Sequence, residues 1–244
     1  RSVLGDQLTP TLSALRDADP DDTIVLMMEV GDETTYVRHH KQKIAYILSA
    51  MRHHAKALEK AGWTVDYVKL DDPDNAGSFT GEIARAVERH APERIVVTEA
   101  GEWRVAAMLE SWETIFGIPV EIRADDRFVA THAEFDTWAS ERKQLTMEFF
   151  YRDMRRKTGL LMDGKKPVGD RWNFDKENRK PAKADLFMPQ PHVFKPDAIT
   201  KDVLALVAER FADHPGTLDG FAYAVTAKDA EKQAAYFLRS EERR

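Results

Sequence analysis

Residues 2–10 read SVLGDQLTP, and the reading of the fold starts from them. A short apolar run, Val3-Leu4, ends at Gly5 and passes into the polar pair Asp6-Gln7, followed by Leu8. In an open parallel sheet a first strand of this kind lies near the middle, and ligands bind beyond the carboxyl ends of the strands, where the winding reverses. Gly5 permits a tight turn and a close approach of the backbone to a ligand. Asp6 and Gln7 bring hydrogen-bonding groups to that edge. The residues alone leave a second reading open, a plain strand-to-loop turn. The chain opens on Arg1 with little lead-in to the strand, so the natural start is expected to be trimmed.

Four more β-rich runs follow: residues 23–30 (TIVLMMEV), 64–70 (TVDYVKL), 94–99 (RIVVTE) and 120–122. Near-continuous apolar runs of this length suit strands covered on both faces. Helical patterns lie between them. The longest spans about 40–61, with Ile44, Ile47, Leu48, Met51, Ala55 and Leu58 on one stripe and Gly62 as its stop. Residues 79–90 and 103–116 carry two more. Alternation of strand and helix to about residue 123 predicts an α/β fold, a doubly wound parallel five-stranded sheet with right-handed crossovers.

Beyond Asp125 no further strand is evident. A short helix is expected at 132–139 and a strong one at 145–158, then a Pro- and Lys-rich stretch, 161–196, too long for an ordinary loop. Helical patterns resume at 200–211 and 227–238, with little left in the chain for them to pack against. The expected division is an α/β domain over 1–130, a helix and interdomain connector over 131–198, and the start of a truncated helical domain over 199–244.

Composition narrows the chemistry. Hydrophobic residues make up 43% of the 244, enough for a soluble chain to bury a core. A net charge of -6 argues against a general nucleic-acid coat but leaves room for a local basic face. Such a face is suggested at Arg152, Arg155 and Arg156, where the alternative is simple solvation. There is no cysteine, so disulfides, thiolate metal sites and thiol nucleophiles are excluded on this chain. The lack of disulfides fits a reducing, cytoplasmic setting. No apolar run approaches the roughly 20 residues of a membrane span, and no signal peptide is visible.

The usual nucleotide and hydrolase signatures fail: no GxxxxGK[ST], no GxGxxG, no GxSxG and no HExxH. The pairs His39-His40 and His53-His54 are fourteen residues apart on one predicted helix, roughly 21 Å, and cannot share an ion. His40 remains of interest because the helix start faces the strand ends. Three loops should open on that edge: one with Asp6 and Gln7, one with Glu29, Thr35, Tyr36 and His40, one with Glu99, Glu102 and Trp103. Flat aromatic surface beside carboxylates and amides suits a planar heterocycle better than a phosphate. Solvated carboxylates and ordinary aromatic packing are the alternative.

The words Gly5-Asp6-Gln7-Leu8, YVRHHKQKI (36–44), DPDNAGSFTG (72–81), Glu102-Trp103-Arg104, KQLTMEFFYRDMRRKTGLL (143–161) and WNFDKENRK (172–180) follow one another in order. Together they resemble the deoxyribodipyrimidine photolyase-related proteins, the bacterial iron–sulfur branch of the photolyase/cryptochrome family associated with (6-4) photoproduct repair. The resemblance implies an N-terminal α/β domain holding an antenna pigment, 6,7-dimethyl-8-ribityllumazine. It implies a connector to a helical domain with FAD, a 4Fe-4S cluster and the damaged base pair, and light-driven electron donation from reduced FAD to the lesion. It makes Gly5, Asp6, Gln7, Leu8, Glu29, Tyr36 and His40 the lumazine site, and geometry extends that site to Glu102 and Trp103.

The catalytic helices and cluster cysteines of the family have no counterpart here, so this piece is expected to lack the reaction that the intact lyase performs. Expected partners of the intact protein are UV-damaged DNA and its own C-terminal helical domain, with no membrane and a monomeric state. Asp175 and Glu177 are candidates for a divalent cation, and Arg179 and Lys180 for the DNA backbone. Two rival readings stay open: a cryptochrome-type blue-light signalling protein without repair, and a generic nucleotide-binding α/β module.

Overall fold

A computed structural model describes residues 1–175 and 192–241. The chain folds as two compact units, Arg1–Ala124 with Pro191–Arg244, and Asp125–Gln190.

The first unit is built on parallel strand pairs. Strand β1 (Ile24–Met28) pairs with β2 (Thr64–Val68), Ile24 opposite Thr64 and Met28 opposite Val68. Strand β3 (Ile95–Thr98) pairs with β4 (Val120–Arg123) in the same sense. The opening segment runs between the pairs. Ser2 bridges in parallel to both Leu26 and Val97, its amide donates to the Val96 carbonyl at 3.0 Å, and the Val3 amide donates to the Leu26 carbonyl at 3.0 Å. The architecture is therefore α/β with parallel pairs. Instead of a full fifth strand, the first segment makes contacts of bridge length.

Side chains alternate across β1, and the core alternates with them. Val25 and Met27 pack with Val3, Leu48, Met51, Leu58, Val203 and Val207. Leu26 and Met28 pack with Leu4, Ile83, Val97, Leu109 and Trp112. The first face is covered by α2 (Lys41–Lys60) and α7 (Ala198–Arg210), the second by α3 (Phe79–His90) and α4 (Trp103–Phe116). Burial from both sides is why β1 reads as an unbroken apolar run. A short helix, α1 (Gly31–Thr35), follows β1 directly.

Helix α7 corrects one expectation. It is not left without packing: Val203 and Val207 are fully buried against α2, and Phe211 follows them into the core. Residues 200–211 thus belong with the α/β unit rather than opening a body of their own. Asp197 caps α7 by accepting from the Thr200 amide, and its other oxygen accepts from His53 Nε2 of α2 at 2.8 Å. The last helix, α8 (Ala227–Glu241), leaves Phe237 and Leu238 exposed.

The second unit holds α5 (His132–Ser140), α6 (Met147–Thr158) and a two-residue antiparallel pair, β5 (Met162–Asp163) with β6 (Lys166–Pro167), which the sequence does not announce. Trp138 is its centre: the ring meets Phe135 and Phe150, and the indole donates to Asp153 at 3.0 Å. The suspected basic face is engaged internally. Arg152 pairs with Glu148, Arg156 with Asp153 and Lys157 with Glu134. Arg155 is buried and donates to the carbonyls of Leu160, Leu161 and Trp172. Glu177, Arg179 and Lys180 lie outside the described residues, so the cation and DNA-backbone readings of that word do too.

Candidate functional site

The carboxyl ends of the strands carry a cavity of about 300 Å³. Its floor is the turn Leu4-Gly5-Asp6 and the end of β1 at Met28, Glu29 and Val30. Helix α2 supplies Ile44, Ile47, Leu48 and Met51, and Phe79, Ala100 and Val105 close the far side. The rim is polar, with Glu33, Tyr36, His39, Lys43 and Glu102. Apolar walls with a few converging polar groups are the usual make-up of a small-molecule site, and this volume is at the small end of the range, about 300–1,000 Å³.

Gly5 explains how backbone comes to form part of the wall. A Cβ added there would lie 3.0 Å from Met51 Sδ and 3.2 Å from Ile47 Cγ2. Any side chain at residue 5 would take up space between the first turn and α2.

The loop 72–81 props up the end of β1. Asn75 donates to the carbonyls of Glu29 and Lys69 at 2.7 and 2.8 Å, and its own Oδ1 accepts from the Gly77 amide. Glu82, fully buried, accepts from the Ala76 amide and from Arg85.

The rim is held by one arginine, Arg104, that sequence reasoning does not single out. Arg104 donates to both oxygens of Glu33 at 2.9 and 2.8 Å and to Glu102 at 2.9 Å. Its guanidinium also lies 4.7 Å from the centre of the Tyr36 ring. These two carboxylates raise the Arg104 pKa, the Glu33 hydrogen bonds most. Tyr36 in turn meets His39 edge-on at 5.1 Å. The spacing of Glu102 and Arg104 holds a hint of this pairing; the long-range partner Glu33 does not.

The candidate residues divide clearly. Gly5, Asp6, Glu29, Tyr36 and Glu102 come together in the cavity lining. Gln7, Leu8, His40 and Trp103 are not among the lining residues. Gln7 is fully buried and staples the first turn to the end of β3: its Oε1 accepts from the Leu4 amide, and its Nε2 donates to the carbonyls of Thr98 and Glu99 at 3.2 and 3.1 Å. Leu8 packs against the core. His40 caps α2, its Nδ1 accepting from the Gln42 amide at 3.1 Å. Trp103 opens α4 and is 87% exposed.

Glu29 lies in the cavity wall, but its carboxylate is used inside the protein. It accepts from Arg52 Nε and Nη2 at 2.6 and 2.9 Å, from the Tyr67 hydroxyl at 2.7 Å and from the Leu70 amide at 2.9 Å. A carboxylate has about four acceptor positions, and four donors occupy them. Burial and the Glu29 charge push the Tyr67 hydroxyl pKa up, so it stays a donor.

A second cavity, about 660 Å³ and polar, sits where the strands begin, lined by Asp19, Asp22, Ile24, Thr64, His90 and Arg94 among others. In parallel α/β sheets ligands collect at the opposite, carboxyl edge. Among the described residues no group of three or more His, Asp or Glu could hold a metal ion, and no helix is long and apolar enough to cross a membrane.

Comparison with known proteins agrees with the words in the sequence. A (6-4) photolyase of Agrobacterium fabrum is 53% identical over 236 residues, which is 97% of this chain and 46% of that protein. The chain therefore spans about half the length of that relative. An uncharacterized protein of Acanthamoeba polyphaga mimivirus is 20% identical over 183 residues, 70% of this chain and 89% of that protein. The family model of the deoxyribodipyrimidine photo-lyase-related proteins matches residues 1–223, and the chain belongs to that family.

Proposed function

We propose that these 244 residues form the antenna-binding part of a light-driven DNA photolyase, with the cavity beside Gly5 as the seat of 6,7-dimethyl-8-ribityllumazine. The observation that carries the reading is the convergence of three strand-end turns on one apolar-walled, polar-rimmed cavity, in a chain 53% identical to a (6-4) photolyase. On this reading the two parallel pairs and the opening segment make one doubly wound sheet of order β2–β1–opening segment–β3–β4, supported by the paired bridges of Ser2.

The residues present suit a flat ring. Met28, Val30, Ile47, Met51 and Phe79 offer apolar faces that exclude water. Asp6, Glu33 and Glu102 offer acceptors, and His39 and Lys43 offer donors, for the edges of a heterocycle. Gly5 lets the first turn pack close against Ile47 and Met51 of α2, which keeps those side chains in the cavity wall. When bound there, the lumazine would supply absorption in the near ultraviolet to blue.

Flavin, 4Fe-4S cluster and lesion contacts belong, in this account, to sequence outside these residues; a chain without cysteine supplies no cluster thiolates. The intact protein would then act on UV-damaged DNA in the cytoplasm as a monomer. Direct titration of the chain with 6,7-dimethyl-8-ribityllumazine, followed by fluorescence, tests the proposal. Saturable one-to-one binding that ATP does not displace is the expected result. Tighter binding of ATP than of lumazine would point to a generic nucleotide module and overturn the antenna reading.

A further inference from the structure

We propose that Lys43 is a positioning residue of this cavity: by donating to His39 Nδ1 it holds the imidazole with its hydrogen on Nε2, so that His39 serves as a hydrogen-bond donor to a carbonyl or anionic ring nitrogen of the bound heterocycle. The ligand half of the inference rests on the chromophore reading above; the Lys43–His39 half does not.

Lys43 lies in the first turn of α2 and His39 just before the helix cap, His40, and both line the cavity. Lys43 Nζ is 3.1 Å from His39 Nδ1. An ammonium group has three donors and no acceptor, so Nδ1 must be the acceptor. A ring that accepts at one nitrogen is neutral and carries its hydrogen on the other. Among the described residues Nε2 has no hydrogen-bond partner, which leaves a donor at the cavity rim.

The backbone that carries the ring is also held. The His39 amide donates to the Val37 carbonyl at 2.8 Å, and the His39 carbonyl accepts from His214 Nδ1 at 3.0 Å. Tyr36 meets its face edge-on. Burial, then Lys43 and His214, lower the His39 pKa, while Glu33 and Glu102 work in the other direction and lose.

The rest of the rim shows why a donor here sets orientation. Glu33 and Glu102 share the single cation Arg104, while Glu29 has Arg52, so this side of the rim stays rich in acceptors. His39 and Lys43 form the donor side. A bicyclic ring with carbonyls along one edge has one orientation that matches both sides. The amino edge of adenine sets one N6 donor beside a single ring-nitrogen acceptor, so it matches fewer of these groups.

The free 244-residue chain allows a test that needs no pigment. Imidazole nitrogen NMR should show neutral His39 protonated on Nε2, with its pKa below the ordinary histidine value. Lys43→Met should raise the His39 pKa toward the ordinary value and let both tautomers appear, while Lys43→Arg should restore the original signature. With lumazine added, Lys43→Met should bind about tenfold more weakly, as expected for one lost directed hydrogen bond, and its absorption band should become pH-dependent below pH 7. An unchanged His39 signature in Lys43→Met overturns the Lys43 role. An unchanged lumazine affinity in that variant overturns the donor role. Failure of the unaltered chain to bind lumazine overturns the site reading and the ligand half with it, and the NMR result decides the Lys43 half separately.

Discussion

Arg52 grips Glu29 with two nitrogens, Nε at 2.6 Å from Oε1 and Nη2 at 2.9 Å from Oε2, at the point where β1 meets the cavity. The carboxylate is out of water, with Glu29 1% exposed. A buried charge is tolerable only while its partners are present, and removing one partner typically costs about 3–5 kcal/mol. Arg52→Met should therefore lower the unfolding free energy by roughly 3 kcal/mol, measured by urea denaturation. A loss under about 1 kcal/mol would show that Tyr67 and the Leu70 amide suffice. Glu29→Gln should act in the same way, through the frame of the site rather than through pigment contact.

Gly5 is expected to matter for shape. A methyl group there crowds Met51 and Ile47, so Gly5→Ala should weaken lumazine binding about tenfold while costing about 1 kcal/mol of stability. Met51→Ala in the same chain removes the nearest crowding side chain and should restore part of the lost affinity. If the double variant binds no better than Gly5→Ala, the crowding account is wrong.

Gly216 and His40 form a second tight pair. Gly216 has φ +83°, and a Cβ there would lie 1.8 Å from His40 Nε2. Gly216→Ala combines left-handed strain of about 1–2 kcal/mol with displacement of the ring that caps α2, a cap worth about 1 kcal/mol. Thermal unfolding should report a combined loss near 2–3 kcal/mol, and about 1 kcal/mol less in a His40→Ala background, where only the left-handed strain remains. Equal losses in both backgrounds would mean the ring does not press on residue 216.

Acid should loosen α7 in a definite window. Burial alone would raise the Asp197 pKa, but the Thr200 amide and His53 outweigh it and bring it down to about 2, against an ordinary 3.8. A lowered carboxylate pKa contributes stability above its unfolded value and loses it as the pH falls through the folded one. Stability measured by urea between pH 5 and pH 2 should fall more steeply in the unaltered chain than in Asp197→Asn. Asp197→Ala should cost about 1 kcal/mol at pH 7 through the lost cap. Parallel pH curves for Asp197→Asn and the unaltered chain would remove Asp197 from the acid response.

Periodic packing is legible in the sequence. The runs around β1 to β4 and the stripes of α2, α3 and α4 appear where alternation and the 3.6-residue spacing place them, because each element buries an apolar face that the spacing records. Partnerships across the chain are not legible. Nothing near residue 29 announces Arg52, 23 residues on, and nothing near Glu33 announces Arg104, 71 residues on. Without those partners a buried carboxylate such as Glu29 reads as a ligand contact. Gln7 and His40 sit at the strand ends and read as site residues for that reason, but backbone groups occupy their side chains, a staple to the distant end of β3 for Gln7 and a local helix cap for His40. His39 differs from its neighbour His40 in meeting Lys43 Nζ at 3.1 Å from the segment before the helix cap, a pairing the sequence spacing does not announce. Helix α7 looks unpartnered in the sequence because its partner, α2, lies some 150 residues earlier in the chain.

The central claim is that the strand-end cavity holds the antenna ring. A crystal structure of the chain grown with 6,7-dimethyl-8-ribityllumazine measures this most directly. The ring is expected to lodge against Gly5, Tyr36, Ile47 and Met51. A ring bound instead at the opposite end of the strands, among Asp19, Asp22, His90 and Arg94, would contradict it.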